Sequence, residues 1–402
     1  MNDEPYNIKV SYDSRTIKAG EYFVPFKGDA HDGHKFIDEA MSKGAAGVIE
    51  EEALYALVKN KLVDYKTKII GITGSAGKTT TKEYTYTLLS SKYKALRSPG
   101  NINTLIGLSV DIINNLKPEH EVYIAEMGMD RAGELRQTSS VITPDIAIYT
   151  IINEAHFEKL GSLQNIINAK GELLENMGAD SLVILNADDV NVMSLKSKVK
   201  GKTLTYSLRE APFNFARLTI LGDHNRSNIL AASYAALALG IPQENIENVY
   251  PSIKAEQGRG RIEKGVKGTS LVDDTYNANE ASVKASLTML KEMVGNKRIV
   301  FLGDMLELGA YEETAHKNVL EFIEVAIKPD LVVTIGPRFA KAGESKYKNF
   351  ATSQEACIYA KELITSGYVG NNDIILVKGS RGIQTELVLN EFKKTDTMNS
   401  TA

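Results

Sequence analysis

Short apolar runs alternate along this chain with longer stretches in which apolar residues recur at helical spacing. The short runs predict buried strands, and the longer stretches predict helices that pack one face against a sheet. From residue 67 to about residue 257 we expect strands at 68–70, 122–127, 146–152 and 182–186, and helices at 81–92, 163–177 and 228–239. Strands that alternate with helices favour a doubly wound, mostly parallel sheet.

The first 66 residues show the same kind of pattern on a smaller scale. They predict strands at 22–25 and 47–49, with a helix at 33–43 between them. This small α/β unit precedes the glycine-rich turn of the central region, so we do not expect it to join the central sheet.

Residues 258–402 predict a third α/β region of Rossmann-like design. We expect strands at 270–273, 298–302, 331–335 and 374–377, and helices at 281–293, 313–326, 354–365 and 384–392. The region has no G-x-G-x-x-G sequence, so we infer no dinucleotide. The chain is therefore predicted to be an α/β protein of three domains, at 1–66, 67–257 and 258–402, with a hinge at 258–261.

Composition narrows the class of protein. Hydrophobic residues make up 43% of the chain and charged residues 24%, as in an ordinary globular protein, and the net charge of −4 gives no reason to expect a nucleic-acid partner. Cys357 is the only cysteine, which excludes disulfide frameworks and cysteine-based zinc sites. The N-terminus has no apolar core, and no apolar run approaches the ~18 residues of a membrane span. We expect a cytoplasmic protein, and a monomer.

The stretch Gly-Ile-Thr-Gly-Ser-Ala-Gly-Lys-Thr-Thr at 71–80 follows a predicted strand and precedes a predicted helix. Such a turn presents backbone N–H groups and a helix N-terminus to an anion. Lys78 would reach the outer phosphates of a nucleoside triphosphate, and the hydroxyl of Thr79 would bind Mg²⁺. Ile72 occupies the position of the first glycine in the strict G-x-x-x-x-G-K-[ST] pattern. The predicted phosphate contacts are Gly74, Ser75, Ala76, Gly77, Lys78, Thr79 and Thr80.

Three further residues could take part in chemistry near this turn. Glu126 ends a buried strand, where a carboxylate could bind magnesium or simply be exposed. His156 follows another strand end, and a lone histidine is more often structural than a ligand. Lys170 lies on a predicted helix, where a single lysine is usually a solvated charge.

Polar residues also mark three other turns. Asn225 and Asn228 open a helix, and either one could cap that helix or contact an adenine base. Residues 273–279 form a polar turn between a strand and a helix, where α/β proteins keep their sites, although Asn279 could merely cap the helix. Lys378, Ser380 and Arg381 follow another strand and could hold a carboxylate.

Taken in order, these stretches resemble the Mur ligases of peptidoglycan synthesis, over residues 8–390. Any one of the motifs is weak, but their order along the chain is specific, and it favours the branch of the family that uses D-Ala-D-Ala. The motifs that carry the resemblance lie at 13–15, 28, 32–34, 73–80, 100–103 with 107, 126–128, 156–158, 161–162, 169–172, 224–225, 274–279, 303–309, 316 and 378–381.

The resemblance implies roles for the candidate residues. Lys170 would be carbamylated and, with Glu126 and His156, would hold two Mg²⁺ ions together with Thr79. Asn225 or Asn228 would contact adenine, and Arg261 would meet the nucleotide from the hinge. The N-terminal domain would bind the UDP-sugar. Residues implied to contact the substrates are Ser14, Arg15, Asn101, Asn103, Asp274, Tyr276, Asn277, Asn279, Lys378, Ser380 and Arg381.

The resemblance also implies the reaction. ATP would activate the terminal carboxylate of UDP-MurNAc-tripeptide as an acyl phosphate, and the amine of D-Ala-D-Ala would then displace phosphate. This chain departs from the family pattern at Ile151, Ser109 and Glu280. At Ile151 the family pattern has a polar residue, so one polar contact near the nucleotide is not expected from this side chain.

Four alternatives remain at this point. A sibling ligase could add a different amino acid to a UDP-muramyl acceptor. A folylpolyglutamate synthase would leave the N-terminal domain unexplained. A P-loop kinase, GTPase or motor is a different class, and a GTPase would need an Asn-Lys-x-Asp sequence, which is missing. A non-catalytic scaffold would not need Lys78, Thr79, Glu126, His156 and Lys170 together.

Overall fold

The computed structural model describes residues 6–28, 32–154, 157–343 and 346–393. Three separate sheets lie one in each of the predicted regions, which confirms the α/β class. No helix in these ranges is both long enough and apolar enough to cross a membrane.

The N-terminal region contains a small parallel sheet of three strands, in the order β1-β2-β3. Its elements are β1 (Val10–Ser11), β2 (Tyr22–Phe23), α1 (Ile37–Ser42), β3 (Gly47–Val48) and α2 (Glu51–Tyr65). As predicted, none of these strands joins the central sheet. The predicted helix at 33–43 starts as a 3-10 turn and becomes α-helical only at Ile37, whereas α2 was not predicted.

The central region is built on a six-stranded parallel sheet. Its strands are β4 (Lys68–Thr73), β5 (Ala95–Arg97), β6 (Val122–Glu126), β7 (Ile146–Tyr149), β8 (Leu182–Asn186) and β9 (Lys202–Tyr206). The spatial order is β5-β6-β4-β7-β8-β9. β4 therefore lies between β6 and β7, and the residues that follow these three strands meet at one edge of the sheet.

The central region contains eight helices among the described residues. They are α3 (Lys78–Leu89), α4 (Leu105–Asn115), α5 (Glu134–Val141), α6 (Phe157–Leu160), α7 (Leu163–Gly171), α8 (Val190–Met193), α9 (Asp223–Ala238) and α10 (Gln243–Val249). Of these, α3, α7 and α9 correspond to the three predicted helices, with different ends. The helix predicted at 81–92 begins three residues earlier, at Lys78, directly after the glycine-rich turn. The helix predicted at 163–177 ends at Gly171 and continues as a 3-10 turn.

The C-terminal region has a six-stranded mixed sheet, in the order β10-β11-β15-β12-β13-β14. Its strands are β10 (Arg261–Lys264), β11 (Ser270–Asp274), β12 (Arg298–Gly303), β13 (Leu331–Ile335), β14 (Lys348–Phe350) and β15 (Ile374–Lys378). β10 pairs antiparallel with β11, and the other pairs are parallel. The predicted hinge at 258–261 thus ends in the first residue of β10.

Helices cover both faces of this C-terminal sheet. They are α11 (Glu280–Glu292), α12 (Glu312–Phe322), α13 (Pro337–Ala342), α14 (Ser353–Thr365) and α15 (Glu386–Lys393). One apolar cluster packs α11 and α12 against the sheet, with Leu287 and Val319 fully buried. A second cluster packs α14 and α15 on the opposite face, with Ala360 and Leu389 at its centre. This two-sided burial is typical of a doubly wound sheet.

The chain divides into two compact units. The first contains the residues up to 152 together with 164–213 and 228–249, and the second contains 153–163, 214–227 and the residues from 250 onward. The N-terminal and central sheets thus belong to one unit and the C-terminal sheet to the other. The segment 153–163 belongs to the C-terminal unit although it follows a strand of the central sheet.

Candidate active site

The turn between β4 and α3, residues 74–77, forms a phosphate-binding loop in which two positions require glycine. Gly74 has a φ of +149°, and an added Cβ would lie 2.0 Å from Oγ1 of Thr150. Gly77 has a φ of +83°, and its Cβ would lie 2.6 Å from Oδ1 of Asn228. Ile72, which replaces the first glycine of the strict pattern, is a buried residue of β4 and needs no unusual backbone.

The residues after β7 hold this loop from the side. The hydroxyl of Thr150 donates to the carbonyl oxygen of Ala76 at 2.6 Å. The N–H of Ser75 donates to the carbonyl oxygen of Ile151 at 2.6 Å. Ile151, where the related family has a polar residue, therefore still supports the loop through its backbone.

Two lysines donate to one carbonyl oxygen of the loop. Nζ of Lys78 lies 2.9 Å from the oxygen of Gly74, and Nζ of Lys170 lies 3.0 Å from the same oxygen. Lys170 is 1% exposed. Burial, reinforced by the positive charge of Lys78, holds the pKa of the Lys170 ammonium well below its ordinary range. The predicted pair of lysines thus meets at the loop, and Lys170 is not the solvated charge that a lone helical lysine usually is.

Glu126 completes a set of oxygen atoms at the start of α3. Its Oε2 accepts from the hydroxyl of Thr79 at 2.6 Å, and its Oε1 accepts from Nδ2 of Asn103 at 3.0 Å. Its own N–H donates to Oγ of Ser98 at 3.1 Å. A buried carboxylate beside a threonine hydroxyl is the type of oxygen donor set that Mg²⁺ prefers.

His156, the other predicted metal ligand, lies outside the described residues. Within the ranges that the structure describes, no three His, Cys, Asp or Glu side chains form a cluster that could hold a metal ion. Phe157, the next described residue, belongs to the C-terminal unit, where its ring packs 5.9 Å from the ring of Tyr311. The metal role of His156 stays a prediction.

The two candidate adenine contacts lie inside α9. This helix begins at Asp223, before both residues, so neither Asn225 nor Asn228 caps it and the capping alternative is wrong. Nδ2 of Asn225 donates to the carbonyl oxygen of Leu221 at 2.8 Å. Asn228 contacts the phosphate-binding loop at Gly77, as described above. Arg261 is exposed at the start of β10, with Nε 3.0 Å from Oε1 of Glu263.

The C-terminal site residues gather where β11 and β15 end side by side. Asp274 and Lys378 are register partners on these strands, and Nζ of Lys378 lies 2.7 Å from Oδ2 of Asp274. The same Nζ donates to the carbonyl oxygen of Asn277 at 2.9 Å. Both charged side chains are nearly buried, and the hydroxyl of Ser286 also donates to Asp274. The pair fixes the polar turn that follows β11.

The remaining predicted residues of this region have structural partners of their own. Ser380 donates to the carbonyl oxygen of Ala278 at 3.2 Å and accepts from the N–H of Leu306 at 2.9 Å. Asn279 caps α11 in a capping box with Ser282, which confirms the capping alternative. The guanidinium of Arg259 lies 3.8 Å from the ring centre of Tyr276. Arg381 is exposed and pairs with Glu386 at 3.2 Å.

The motif at 303–309 is supported by a buried histidine. Nε2 of His316 accepts from the N–H of Met305 at 3.0 Å, so Nδ1 carries the proton and donates to the carbonyl oxygen of Glu312 at 2.7 Å. Burial lowers the pKa of His316. Asp304 accepts from the N–H groups of Arg338 and Phe339 at 3.0 and 2.9 Å.

Ser14 and Arg15, the N-terminal candidates, each have a local partner. The hydroxyl of Ser14 donates to Oε2 of Glu39 at 2.9 Å. Arg15 is largely exposed and pairs with Asp13 at 2.8 Å. Asn101 is also exposed, in the loop between β5 and α4. Neither Ser14 nor Arg15 is brought to the phosphate-binding loop by any described hydrogen bond or ion pair.

One charged group beside the site was not predicted. Lys82 and Arg97 both pair with Glu83, and Lys82 is fully buried within the electrostatic influence of Glu126. The available sequence clue is its position: Lys82 follows Lys78 by four residues, so both lie on one face of α3.

Comparison with known proteins identifies the family. Family models match residues 9–87 (Mur ligase family, catalytic domain), 72–217 (Mur ligase middle domain) and 258–381 (Mur ligase, glutamate ligase domain). The UDP-N-acetylmuramoyl-tripeptide--D-alanyl-D-alanine ligase of Bacillus subtilis is 31% identical over 425 aligned positions, covering 95% of this chain and 92% of that protein.

Two solved structures extend the likeness to the fold. MurF from Acinetobacter baumannii superposes with a TM-score of 0.85 at 26% identity, covering 96% of this chain and 93% of that one. MurF from Thermotoga maritima, solved in complex with ADP, superposes with a TM-score of 0.84 at 28% identity and covers 98% of both chains.

Proposed function

The chain belongs to the Mur ligase family, and from this premise we propose that it joins D-Ala-D-Ala to UDP-MurNAc-tripeptide with conversion of ATP to ADP and phosphate. It is an ATP-dependent ligase that forms a carbon–nitrogen bond in peptidoglycan precursor synthesis. The names of the relatives reported above indicate this activity. These relatives align with nearly the whole length of the chain. The division into a UDP-binding domain at 1–66, an ATP-binding domain at 67–257 and a ligase domain at 258–402 is part of the proposal.

The phosphate-binding loop receives the triphosphate. Its backbone N–H groups and the N-terminus of α3 face the phosphates, and Lys78 exchanges its bond to the Gly74 carbonyl for the outer phosphate oxygens. Asn228, which touches Gly77, and Asn225 are the proposed adenine contacts, with Arg261 approaching from the hinge.

The oxygens of Thr79 and Glu126 fit the magnesium ion that such a reaction needs. The Thr79 hydroxyl and Oε2 of Glu126 lie 2.6 Å apart at the start of α3, and the other carboxylate oxygen accepts from Asn103. Mg²⁺ bound there would neutralise negative charge on the phosphoryl group during transfer. We assign His156 to the same metal site on the basis of the family resemblance alone.

Lys170 is suited to carbamylation, which would make it an oxygen ligand for a second Mg²⁺ ion. Carbon dioxide adds to a neutral amine, forming a carbamate anion and releasing one proton. A buried amine with a lowered pKa supplies the neutral form near neutral pH. Because its Nζ lies at the phosphate-binding loop, the resulting carboxylate would lie near the bound phosphates.

The reaction then proceeds in two steps. The terminal carboxylate of the tripeptide attacks the γ-phosphorus, the bond to the bridging oxygen breaks, and ADP leaves. The amine of D-Ala-D-Ala attacks the acyl carbon, loses a proton and displaces phosphate. We assign the binding of the dipeptide to the turn after β11 and the cations after β15: Asp274, Tyr276, Asn277, Asn279, Lys378, Ser380 and Arg381. We assign the binding of the UDP-linked tripeptide to Ser14, Arg15, Asn101 and Asn103.

The observation that carries the proposal is the meeting of Lys78, Lys170 and the Thr79–Glu126 pair around one phosphate-binding loop. The test measures phosphate release from ATP and Mg²⁺ with UDP-MurNAc-tripeptide, with and without D-Ala-D-Ala, together with the product mass. Release that needs both substrates, with a mass gain of one dipeptide less water, is expected. Release driven by a different amine would change the substrate but keep the family, and release without the acceptor would overturn the proposal.

A further inference from the structure

Lys82 is a buried cation that the proposed mechanism does not use. It lies on α3 one turn after Lys78, and its side chain is completely buried. Its Nζ donates to the carbonyl oxygen of Gly100 and lies 3.4 Å from Oε1 of Glu83. Because a buried ammonium is costly unless it is paired and hydrogen-bonded, these partners must stay in place around it.

Gly100 lies in the middle of a loop, residues 98–103, that surrounds Glu126. At one end, Ser98 accepts from the Glu126 N–H and donates its own N–H to the carbonyl oxygen of Ile124 at 2.9 Å. At the other end, Asn103 donates to the Glu126 carboxylate, and its carbonyl oxygen accepts from the N–H of Gly128 at 3.0 Å. Both ends are thus fixed to β6 and the turn after it. Lys82 ties the middle of the loop to α3.

The charges around Lys82 connect it with the metal side of the site. Glu83, its neighbour, pairs with Nε of Arg97 at 2.6 Å. Burial lowers the pKa of Lys82, while the negative charges of Glu126 and Glu83 oppose that shift. Lys82 therefore shares an electrostatic environment with the carboxylate that faces Thr79.

We propose that Lys82 is a positioning residue that couples the phosphate-binding helix to the loop 98–103, so that nucleotide binding orders this loop for the UDP-linked acceptor. The inference rests on the proposed function, since it takes that acceptor as the substrate. Lys82 itself would contact neither the phosphates nor the acceptor. It acts through the Gly100 carbonyl, and through it on Asn101 and Asn103.

A second buried lysine provides a matched control. Lys61 on α2 is 2% exposed, and its Nζ donates to the carbonyl oxygen of Ile113 at 2.9 Å. Replacement of either lysine by methionine keeps the length of the side chain and leaves a backbone carbonyl without its cation. Both variants should lose thermal stability, whereas only one should change substrate binding.

The experiment compares Lys82→Met and Lys61→Met with the unchanged chain. For Lys82→Met we expect the KM for UDP-MurNAc-tripeptide to rise by roughly tenfold or more, while the Kd for Mg–ADP changes by less than about threefold. Lys61→Met should leave both quantities within about threefold of the unchanged chain. An unchanged acceptor KM in Lys82→Met, or an equal loss of Mg–ADP binding, would overturn the inference.

A measurement on the unchanged chain covers the case in which Lys82→Met does not fold. Hydrogen exchange of the peptide spanning 98–104 is followed with and without Mg–ADP. We expect nucleotide to slow the exchange of this loop, and equal exchange rates would overturn the coupling. Acceptor-independent phosphate release by the unchanged chain would instead show that the proposed function has failed, so the two failures are distinguishable.

Discussion

The buried Nζ of Lys170 and the Nζ of Lys78 share the carbonyl oxygen of Gly74, at 3.0 and 2.9 Å. Two cations on one carbonyl repel each other unless one of them loses its charge or moves to an anion. The arrangement is therefore compatible with the two proposed changes: transfer of Lys78 to the phosphates, and conversion of Lys170 from an amine to a carbamate.

The first prediction concerns Lys170. Lys170→Ala should lower the turnover number by about 100-fold or more, since a metal ligand at the phosphoryl group is lost. A short-chain carboxylate such as acetate should restore part of the activity in phosphate-release assays. Lys170→Arg is the control, because a guanidinium stays charged and cannot take up carbon dioxide. Full activity in Lys170→Arg would argue against a carbamate.

The second prediction concerns the hydroxyl of Thr79. Thr79→Val keeps the shape of the side chain but removes the oxygen that faces Glu126. We expect the Mg²⁺ concentration for half-maximal activity to rise roughly tenfold, because one oxygen ligand is lost. Thr85→Val on the same helix is the control, since its buried hydroxyl bonds only to the Thr81 carbonyl at 2.7 Å among the contacts described here. A similar Mg²⁺ shift in both variants would remove Thr79 from the metal site.

The third prediction tests the close approach at Gly74. Gly74→Ala would place a methyl group 2.0 Å from the Thr150 hydroxyl, in addition to the strain of a positive φ. Gly20→Ala is the control, because Gly20 has a φ of +86° and no atom within 4 Å of the added carbon. Gly20→Ala should cost about 1–2 kcal/mol, and Gly74→Ala should cost more and abolish nucleotide binding. Thermal unfolding with and without Mg–ADP separates the two effects, and equal behaviour would show that the loop can relax.

The fourth prediction concerns the ion pair between Asp274 and Lys378. Lys378→Met leaves a nearly buried carboxylate without its cation, and the expected loss is about 3–5 kcal/mol in the free energy of unfolding. The double variant with Asp274→Asn should recover part of this loss, because both charges are then removed. The exposed pair Lys317–Glu313 is the comparison, where Lys317→Met should cost less than about 1 kcal/mol. Equal losses at the two pairs in urea titrations would contradict the buried-pair account.

The fifth prediction is a pH dependence of stability. Burial lowers the pKa values of His316 and His224 below their ordinary value of 6.5, so the folded protein favours their neutral forms. The unfolded chain then binds more protons, and stability should fall as the pH drops from about 6.5 towards the folded-state pKa values. Protonation of His316 would also remove the acceptor of the Met305 N–H.

Urea titrations at several pH values between 5 and 7.5 measure this dependence. His316→Gln should flatten part of the slope of stability against pH in this range, because one titrating group is removed. His34 is the control. Asp32 and Glu50 raise the pKa of its exposed side chain, so its contribution to the slope of stability against pH has the opposite sign. An unchanged slope in His316→Gln would contradict the assignment.

The sequence predicted the central strands of the sheets better than the strands at the sheet edges. Central strands such as β4 and β12 contain short apolar runs, which are favoured in the buried middle of a sheet. Their predicted positions were confirmed. β10 was missed because Arg261–Lys264 is mostly polar and exposed at a sheet edge. The start of α9 was also misjudged. Gly222, with a φ of +89°, lets the helix begin at Asp223, which places both candidate asparagines inside it.

Within the site, the sequence could predict which residues belong together but not what they bond to. The sequence predicted that Asp274 and Lys378 both lie where a strand ends, and the structure brings them together because β11 and β15 are parallel neighbours. Lys82 was not, because a helical lysine gives no sign of burial until its surroundings are known. The bonds of Lys78 and Lys170 to one carbonyl likewise depend on the path of the loop backbone, which only the folded structure specifies.

The order of strands in the C-terminal sheet also constrains how this protein can be made. β15 lies between β11 and β12, yet it is synthesised after all the other strands of its sheet. The pair formed by Asp274 and Lys378 joins residues 104 positions apart. Until β15 has been synthesised, β11 and β12 lack the strand that pairs with both of them in the folded sheet, and their facing edges carry unpaired backbone N–H and C=O groups. We therefore expect the incomplete sheet to be prone to mispairing until β15 is inserted between β11 and β12.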